Sequence, residues 1–472
     1  MCNYRLLPFE FRRRDDGTVL LVNECGNYAV VSSADFDALA GKAFHDISHN
    51  ALHVLESRNM IADESHLDSA LFLLANQYRS RREYLHSSTA LHMMVVTLRC
   101  NHKCEYCQVS SAEDDAYKYD MPPRVAERIV ELIFQSPSHD IKIEFQGGDA
   151  LLNWQTVMAA VRKAEELNML YKRNLEFVAC TNLYALTEEH LKDIKEHKIM
   201  LSTSLDGPKQ LHDLHRCLRK DGSSYDTFVE KLKLARDALG YDSVNALMTT
   251  SADSLSQVER IIDEYRKLEF NGIFFRALNP YGDAYKNKLY YSPDAFVEMY
   301  KRGLEYIVAL NKSGVKFIEY YTELLVRRIL TPYPTGFVDL QSPSGAGVSG
   351  VIYDYTGDVY PADEARMLAR MGNTSFKLGN VFTNTYKEIF LSDVLKDIVK
   401  SSCVETIPGC STCAYRTYCG VDVFRNYLET GDIANVKTNS FFCRKQTMIF
   451  DYLFKRLEDP EFVKVVGSWM GG

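Results

Sequence analysis

No stretch of this 472-residue chain approaches the roughly 20 consecutive apolar residues that a membrane-spanning helix needs. Residues 1–10 also lack the apolar core of a signal peptide, so no membrane association and a cytoplasmic location are expected. Positive charge is in short supply: 55 Lys and Arg stand against 63 Asp and Glu, a formal net charge of −8. Non-specific nucleic-acid binding is therefore not expected, and the short basic runs at 12–14 and 79–82 read as solvated faces. Internal repeats and low-complexity segments are absent. What remains is an ordinary globular composition, 46% hydrophobic and 25% charged, in a chain long enough for two or three domains.

Cysteine, by contrast, is plentiful, with twelve residues. A reducing cytoplasm would keep them as thiols, so a disulfide framework is excluded and metal ligation accounts better for those that cluster. Cys2, Cys25, Cys180 and Cys217 are isolated and read as small buried hydrophobes. Cys100, Cys104 and Cys107 fall together in Leu98-Arg99-Cys100-Asn101-His102-Lys103-Cys104-Glu105-Tyr106-Cys107, at the end of the apolar run 91–98. Three thiolates in one short loop can hold three irons of a cubane and leave the fourth open to another ligand. Structural zinc and electron-transfer [4Fe–4S] clusters want closed sets of four. His102 is the only local candidate to close the set, and from inside the first loop it would have to strain back to the same metal.

This C-x3-C-x2-C triplet, with an aromatic before its last cysteine, resembles the radical S-adenosylmethionine superfamily. The resemblance implies that the open iron binds the amino and carboxylate groups of S-adenosylmethionine. Reductive cleavage, with electrons from a flavodoxin or ferredoxin, then yields a 5'-deoxyadenosyl radical that takes hydrogen from an unactivated carbon.

From residue 91 onward, β-rich runs at 91–98, 141–145, 175–180, 199–205, 244–249 and 272–277 alternate with helical patterns at 125–134, 154–167, 188–196, 227–239, 256–268 and 293–310. Six such units predict an α/β fold built on a partial (β/α)6 barrel over 85–340. Cys100, Gly147, Asn182, Ser204 and Thr249 all fall at strand C-terminal ends, where such barrels carry their reactive loops. Residues 1–84 read as strands at 4–12, 18–22 and 27–31 followed by helices at 33–39, 50–58 and 66–84, a winged-helix-like module. An exposed edge strand there could pair with an extended leader peptide; the competing reading has the module cover the barrel or bind a partner maturase.

By the same resemblance, Gly147 and Gly148 let the backbone approach S-adenosylmethionine, and Asp149 stands where the family has a glutamate contacting the methionine amine. Asn182 and Ser204 match strand-end positions beside the cofactor, Arg216 matches the arginine that clamps its carboxylate, and Tyr106 is a partner for the adenine. Each has a plainer reading as a cap, a turn or a surface ion pair.

Cys410-x2-Cys413-x5-Cys419, followed by Cys443, is a four-thiolate set that suits either zinc or a [4Fe–4S] cluster. Its order resembles the SPASM extension of peptide-modifying radical enzymes, whose full form has seven cysteines and two clusters. Ala362 and Val423 stand at two of the three lost cysteine positions, the third being the usual partner upstream of the hairpin, and all three losses fall on the first auxiliary cluster. The resemblance implies one auxiliary [4Fe–4S] cluster in a SPASM-like domain at 341–472, with zinc as the alternative. Cys403 would either replace Cys443 or remain a free thiol.

Asp363, beside Ala362, matches an acid that takes a proton from a substrate radical; the competing reading pairs Asp363 and Glu364 with Arg366. The stretch Asp363-Glu364-Ala365-Arg366-Met367 is similar to the His-Xaa-Ser system maturases. A maturase of a ribosomally made precursor peptide is expected, with a second radical maturase as a further partner. The alternatives are a sulfatase-type maturase that oxidises a Ser or Cys, and a non-catalytic, metal-stapled scaffold.

Overall fold

A computed structural model describes residues 3–434, 438 and 440–471; Cys2 lies outside them. The first strands are β1 (Tyr4–Leu6), β2 (Phe9–Arg13), β3 (Thr18–Asn23), β4 (Tyr28–Ser32) and β5 (Ile61–Asp63). β2, β3 and β4 form an antiparallel meander, while β1 pairs with β5. The single strand expected over 4–12 is two, because Pro8 cannot donate to a ladder and Leu7 N–H bonds to Met60 O at 2.9 Å. Helices Ser33–Ala40, His49–Ser57 and Leu67–Arg81 complete this part.

The main sheet begins with β6 (Leu91–Thr97), β7 (Asp140–Gly147), β8 (Asn174–Cys180), β9 (Met200–Ser204) and β10 (Val244–Leu247), five parallel strands paired in chain order. The connecting helices include Pro123–Ile133, Trp154–Tyr171, Glu188–Glu196, Ser224–Leu239 and Val258–Lys267. The sixth expected strand is mostly irregular: β11 (Gly272–Ile273) pairs, among the described residues, only with β12 (Ile318–Glu319), and one bridge, Thr250 to Ala277, ties this segment to the end of β10. On the other side, β13 (Gly350–Tyr353) runs parallel to β6 and leads through β14 (Asp358–Tyr360) to β15 (Gly379–Asn380), giving an eight-stranded sheet. The result is a partial barrel whose first strand is flanked by the C-terminal hairpin.

Alternation decides what faces inward. Ile141, Ile143 and Phe145 of β7 are buried in the core shared with the outer helices. Glu144 and Gln146, on the opposite face, share the inner surface with Cys180, Ser202 and Ser204. The beginning and end of the chain meet: Tyr418 donates to Gly26 O at 2.8 Å, Arg12 makes a two-pronged bond to Asp451 at 2.6 and 2.7 Å, and Tyr28 meets Phe454 edge-on at 5.0 Å.

Candidate active site

The Cys100–Cys107 loop leaves the end of β6 and is braced from three sides. Arg99 forks onto Asp120 with both contacts at 2.8 Å. Residues after β9 run alongside the loop, with Lys103 N–H to Cys217 O at 2.7 Å and Arg219 Nε to Cys100 O at 2.9 Å. Gly282, at φ +56°, lies so close that a Cβ would sit 2.5 Å from Cys107 O. Cys217 itself is exposed and Cys180 half-buried, so of the described isolated cysteines, Cys25, Cys180 and Cys217, Cys25 alone is fully buried as expected. Cys217 follows helix Lys209–His215 with its neighbours committed to the loop, which leaves its own thiol outside.

The loop sulfurs receive N–H donors: His102 N–H at 3.4 Å and the Asn182 amide at 3.7 Å on Cys100, and Ser111 N–H at 3.4 Å on Cys107. Burial pushes the Cys100 thiol well up and the Cys104 thiol to about 12, so ligation here would displace protons. His102 is buried, and its imidazole is pushed down to about 3, chiefly by desolvation.

The two glycines after β7 serve close packing. Gly147 has φ +138°, and a Cβ there would meet Thr97 O at 1.9 Å; one on Gly148 would meet Arg99 O at 2.1 Å. They bring β7 flush against the base of the cysteine loop, where Gly148 and Asp149 N–H bond to Thr97 O and Arg99 O at 2.8 and 2.9 Å. The Asp149 side chain is fully buried and occupied. It accepts from Leu151 N–H, Asn182 N–H and the Thr181 hydroxyl at 2.9–3.0 Å, which makes it a brace between the ends of β7 and β8. Asn182 follows β8, and Ser204 sits half-buried at the end of β9.

Arg216 and Tyr106 share a partner that the sequence reading did not single out. Asp206, fully buried, accepts from the Tyr106 hydroxyl and pairs with Arg216 Nε at 3.1 Å, while the guanidinium lies 5.5 Å from the Tyr106 ring centre. Its position in Ser204-Leu205-Asp206-Gly207 was the only available signal.

Asp363 begins helix Asp363–Arg370 and lies over the inner face of the sheet, accepting from Gln146 Nε2 at 2.8 Å. Burial raises its carboxyl above the usual range, with Arg366 and Arg276 opposing. Arg366 makes its ion pair with Asp354, at 3.6 Å, and not directly with Asp363 or Glu364. Cys180 donates to Glu144 at 3.3 Å in the same space.

Residues 94–265 match the family model of the Radical SAM superfamily. The chain carries a radical SAM domain. It is 26% identical over 378 residues to a cysteine-type anaerobic sulfatase-maturating enzyme of Clostridium perfringens (strain 13 / Type A), spanning 76% of this chain and 94% of that one. Its fold is similar to that of native anSMEcpe with bound AdoMet, with TM-score 0.66 and 18% identity over 80% of this chain and 99% of that one. It is also similar to Streptococcus suis SuiB bound to precursor peptide SuiA, with TM-score 0.55 and 13% identity over 93% and 100%.

A radical SAM domain implies S-adenosylmethionine and a [4Fe–4S] cluster, and the residues present fit both. Three thiols with N–H donors at two of them suit a cluster, and a buried guanidinium stands beside the loop. Beyond the radical SAM domain, Cys410, Cys413, Cys419 and Cys443 line one cavity of about 300 Å³, to which Phe11 and Arg12 also contribute. Cys403 is outside that lining, its thiol donating to Val399 O at 3.3 Å. Among the described residues, no three His, Cys, Asp or Glu side chains gather as one metal ion would require.

Proposed function

We propose that the protein is a radical SAM enzyme that removes hydrogen from a residue of a ribosomally made precursor peptide to install a modification. The observation that carries this reading is the placement of Asp363 inside the barrel, bonded to Gln146 at 2.8 Å, one residue before the glycines that pack on the cysteine loop. Cofactor, substrate carbon and proton acceptor can thus share one space.

Cys100, Cys104 and Cys107 would hold the catalytic cluster, with Tyr106, Gly147, Gly148, Asn182, Ser204 and Arg216 around S-adenosylmethionine. Bound together, these groups supply the hydrogen-abstracting radical. The chain's own part is positional and acid–base. Asp206 holds Arg216 and Tyr106 in register, Asp149 locks two strand ends together, and Gln146 orients Asp363. A carboxyl raised toward neutrality is a better-matched proton acceptor than an ordinary one. Cys410, Cys413, Cys419 and Cys443 would hold one auxiliary [4Fe–4S] cluster, anchoring substrate or accepting an electron. A flavodoxin- or ferredoxin-type reductant is required, and a second radical maturase would be a further partner.

The similarity in fold to SuiB bound to precursor peptide SuiA, and to anSMEcpe with bound peptides, supports a peptide substrate. Maturation of a Ser or Cys in a sulfatase-type protein is the second reading, favoured by the 26% identity to the Clostridium enzyme. Anaerobically reconstituted protein is expected to hold about eight irons, falling to about four when all three loop cysteines become Ala. Near twelve irons, or stoichiometric zinc, would overturn the cluster assignment. Asp363→Asn is expected to keep forming 5'-deoxyadenosine while losing product formation by roughly 10²-fold or more. Undiminished product would remove Asp363 from the mechanism, and absence of 5'-deoxyadenosine from fully loaded wild-type protein would favour the scaffold.

A further inference from the structure

The space beneath Asp363 is strongly acidic. Glu144 on β7, Asp339 before β13, Asp363 and Glu364 at the start of one helix, and Asp422 at the cap of helix Val423–Thr430 belong to one electrostatically linked group. Each keeps solvent-accessible surface, although Leu340, Ala365, Val421 and Val423 beside them are buried. The acids therefore face an opening, not the core.

Four cations reach the same region, and three have other commitments. Arg425 bonds Glu429 at 2.9 Å and Asn279 at 3.3 Å, with its guanidinium 3.8 Å from the centre of the Phe441 ring. Lys445 lies 5.4 Å from the ring centres of Tyr321 and Phe442 and feels the Cys419 thiol as well as Asp339 and Asp422. Arg366 pairs with Asp354 at 3.6 Å while also facing Asp363, and Arg276 is left to answer Glu144, Asp339 and Asp363. Glu364 has the poorest surroundings: burial and the facing carboxylates of Asp339, Asp422 and Asp363 all push its carboxyl well up.

A second observation also points to a missing occupant. The Tyr281 side chain is fully buried and its hydroxyl has no hydrogen-bond partner. The charges it feels most are those of Asp422 and Glu364. Leaving a buried hydroxyl unpaired costs roughly 1–3 kcal/mol, and an entering polar group would relieve it.

We propose that this acid-lined space receives a positively charged side chain, lysine or arginine, of the substrate peptide. The proposal rests on the peptide reading above and adds a charge requirement to it. Five carboxyl groups face four cations there, and an excess of negative charge only partly open to water attracts an ammonium or guanidinium more strongly than a fully exposed acidic patch would. A bare metal ion suits the space less well, since no three carboxylates among the described residues converge on one point. The cationic side chain would anchor the peptide close to Asp363 and to the cysteine loop, which Gly282 joins directly to Tyr281.

A degenerate library of twelve-residue peptides, passed over immobilised, cluster-loaded holoenzyme with S-adenosylmethionine, tests this by sequencing the retained fraction. Lysine and arginine are expected to be enriched at least five-fold at one position, and acetylation of the library's lysines should remove the lysine share. Glu364→Gln and Asp422→Asn, each checked for full iron content, are expected to reduce the enrichment several-fold, and Glu364→Lys to abolish it. Retention of acidic or uncharged peptides, no enrichment, or enrichment indifferent to all three variants would overturn the proposal. Failure of the enzyme reading is distinguishable, because it would appear in the same holoenzyme as absence of 5'-deoxyadenosine, whatever peptides are retained.

Discussion

At single residues, the cofactor end of the site depends on how closely backbones approach. Gly148→Ala would place a Cβ 2.1 Å from Arg99 O, next to the first loop cysteine. Backbone cannot yield as a flexible side chain can, so the loop must shift. Reconstituted Gly148→Ala is expected to hold about four irons in place of about eight, with the C-terminal set intact, by iron analysis; full loading would show that the loop tolerates displacement. The sequence already exposed the triplet and the glycines, because spacing and residue type carry those, while the acid at 363 was singled out only by the family resemblance. It could not reveal that Asp149 spends its oxygens on Thr181, Asn182 and Leu151, or that Asp206 unites Tyr106 with Arg216. Partners as far apart as Asp149 and Thr181, or Asp206 and Tyr106, leave no local pattern.

Among the elements, the five parallel strands were legible because each is a short β-rich run bounded by turns. The sixth was misjudged for a physical reason: the run 272–277 is β-rich like a strand, yet beyond Ile273 its ladder reduces to one bridge. Pairing of β13 with β6 was invisible, since nothing local announces a partner some 260 residues away. The turn into helix Tyr320–Leu330 gives a measurable pH effect. Glu319 is fully buried and accepts from Phe275, Tyr321 and Thr322 N–H and from the Thr322 hydroxyl at 2.6–3.2 Å. Desolvation nevertheless outweighs these bonds and raises the carboxyl from 4.5 to about 7. A raised carboxyl contributes stability that is complete below the unfolded value and is lost as pH climbs through the folded one, here on the order of 3 kcal/mol. The stability gap between wild type and Glu319→Gln is therefore expected to narrow from pH 5 to pH 8 in thermal unfolding of holoenzyme, and a constant gap would refute the shift.

For the whole molecule, the N-terminal module is joined to the C-terminal cysteine region. Tyr418 reaches Gly26, Tyr28 packs on Phe454, and Arg12 lines the four-thiol cavity. Removing residues 1–84 would strip cover from buried Tyr415, Tyr418 and Phe454. The truncated protein is expected to lose about four irons, those of the C-terminal set, and to aggregate; retention of about eight in soluble protein would show the module to be separable. Leader recognition is therefore better probed by point substitutions than by deletion. The pairing of Leu91 with Gly350 also sets a timetable for the nascent chain. β6 meets β7 early, but its other edge stays bare until the hairpin leaves the ribosome, on the order of tens of seconds later at ordinary translation speed. An uncovered strand edge is a template for mispairing, so slower synthesis prolongs that risk while chaperones that shield strand edges should raise the soluble yield.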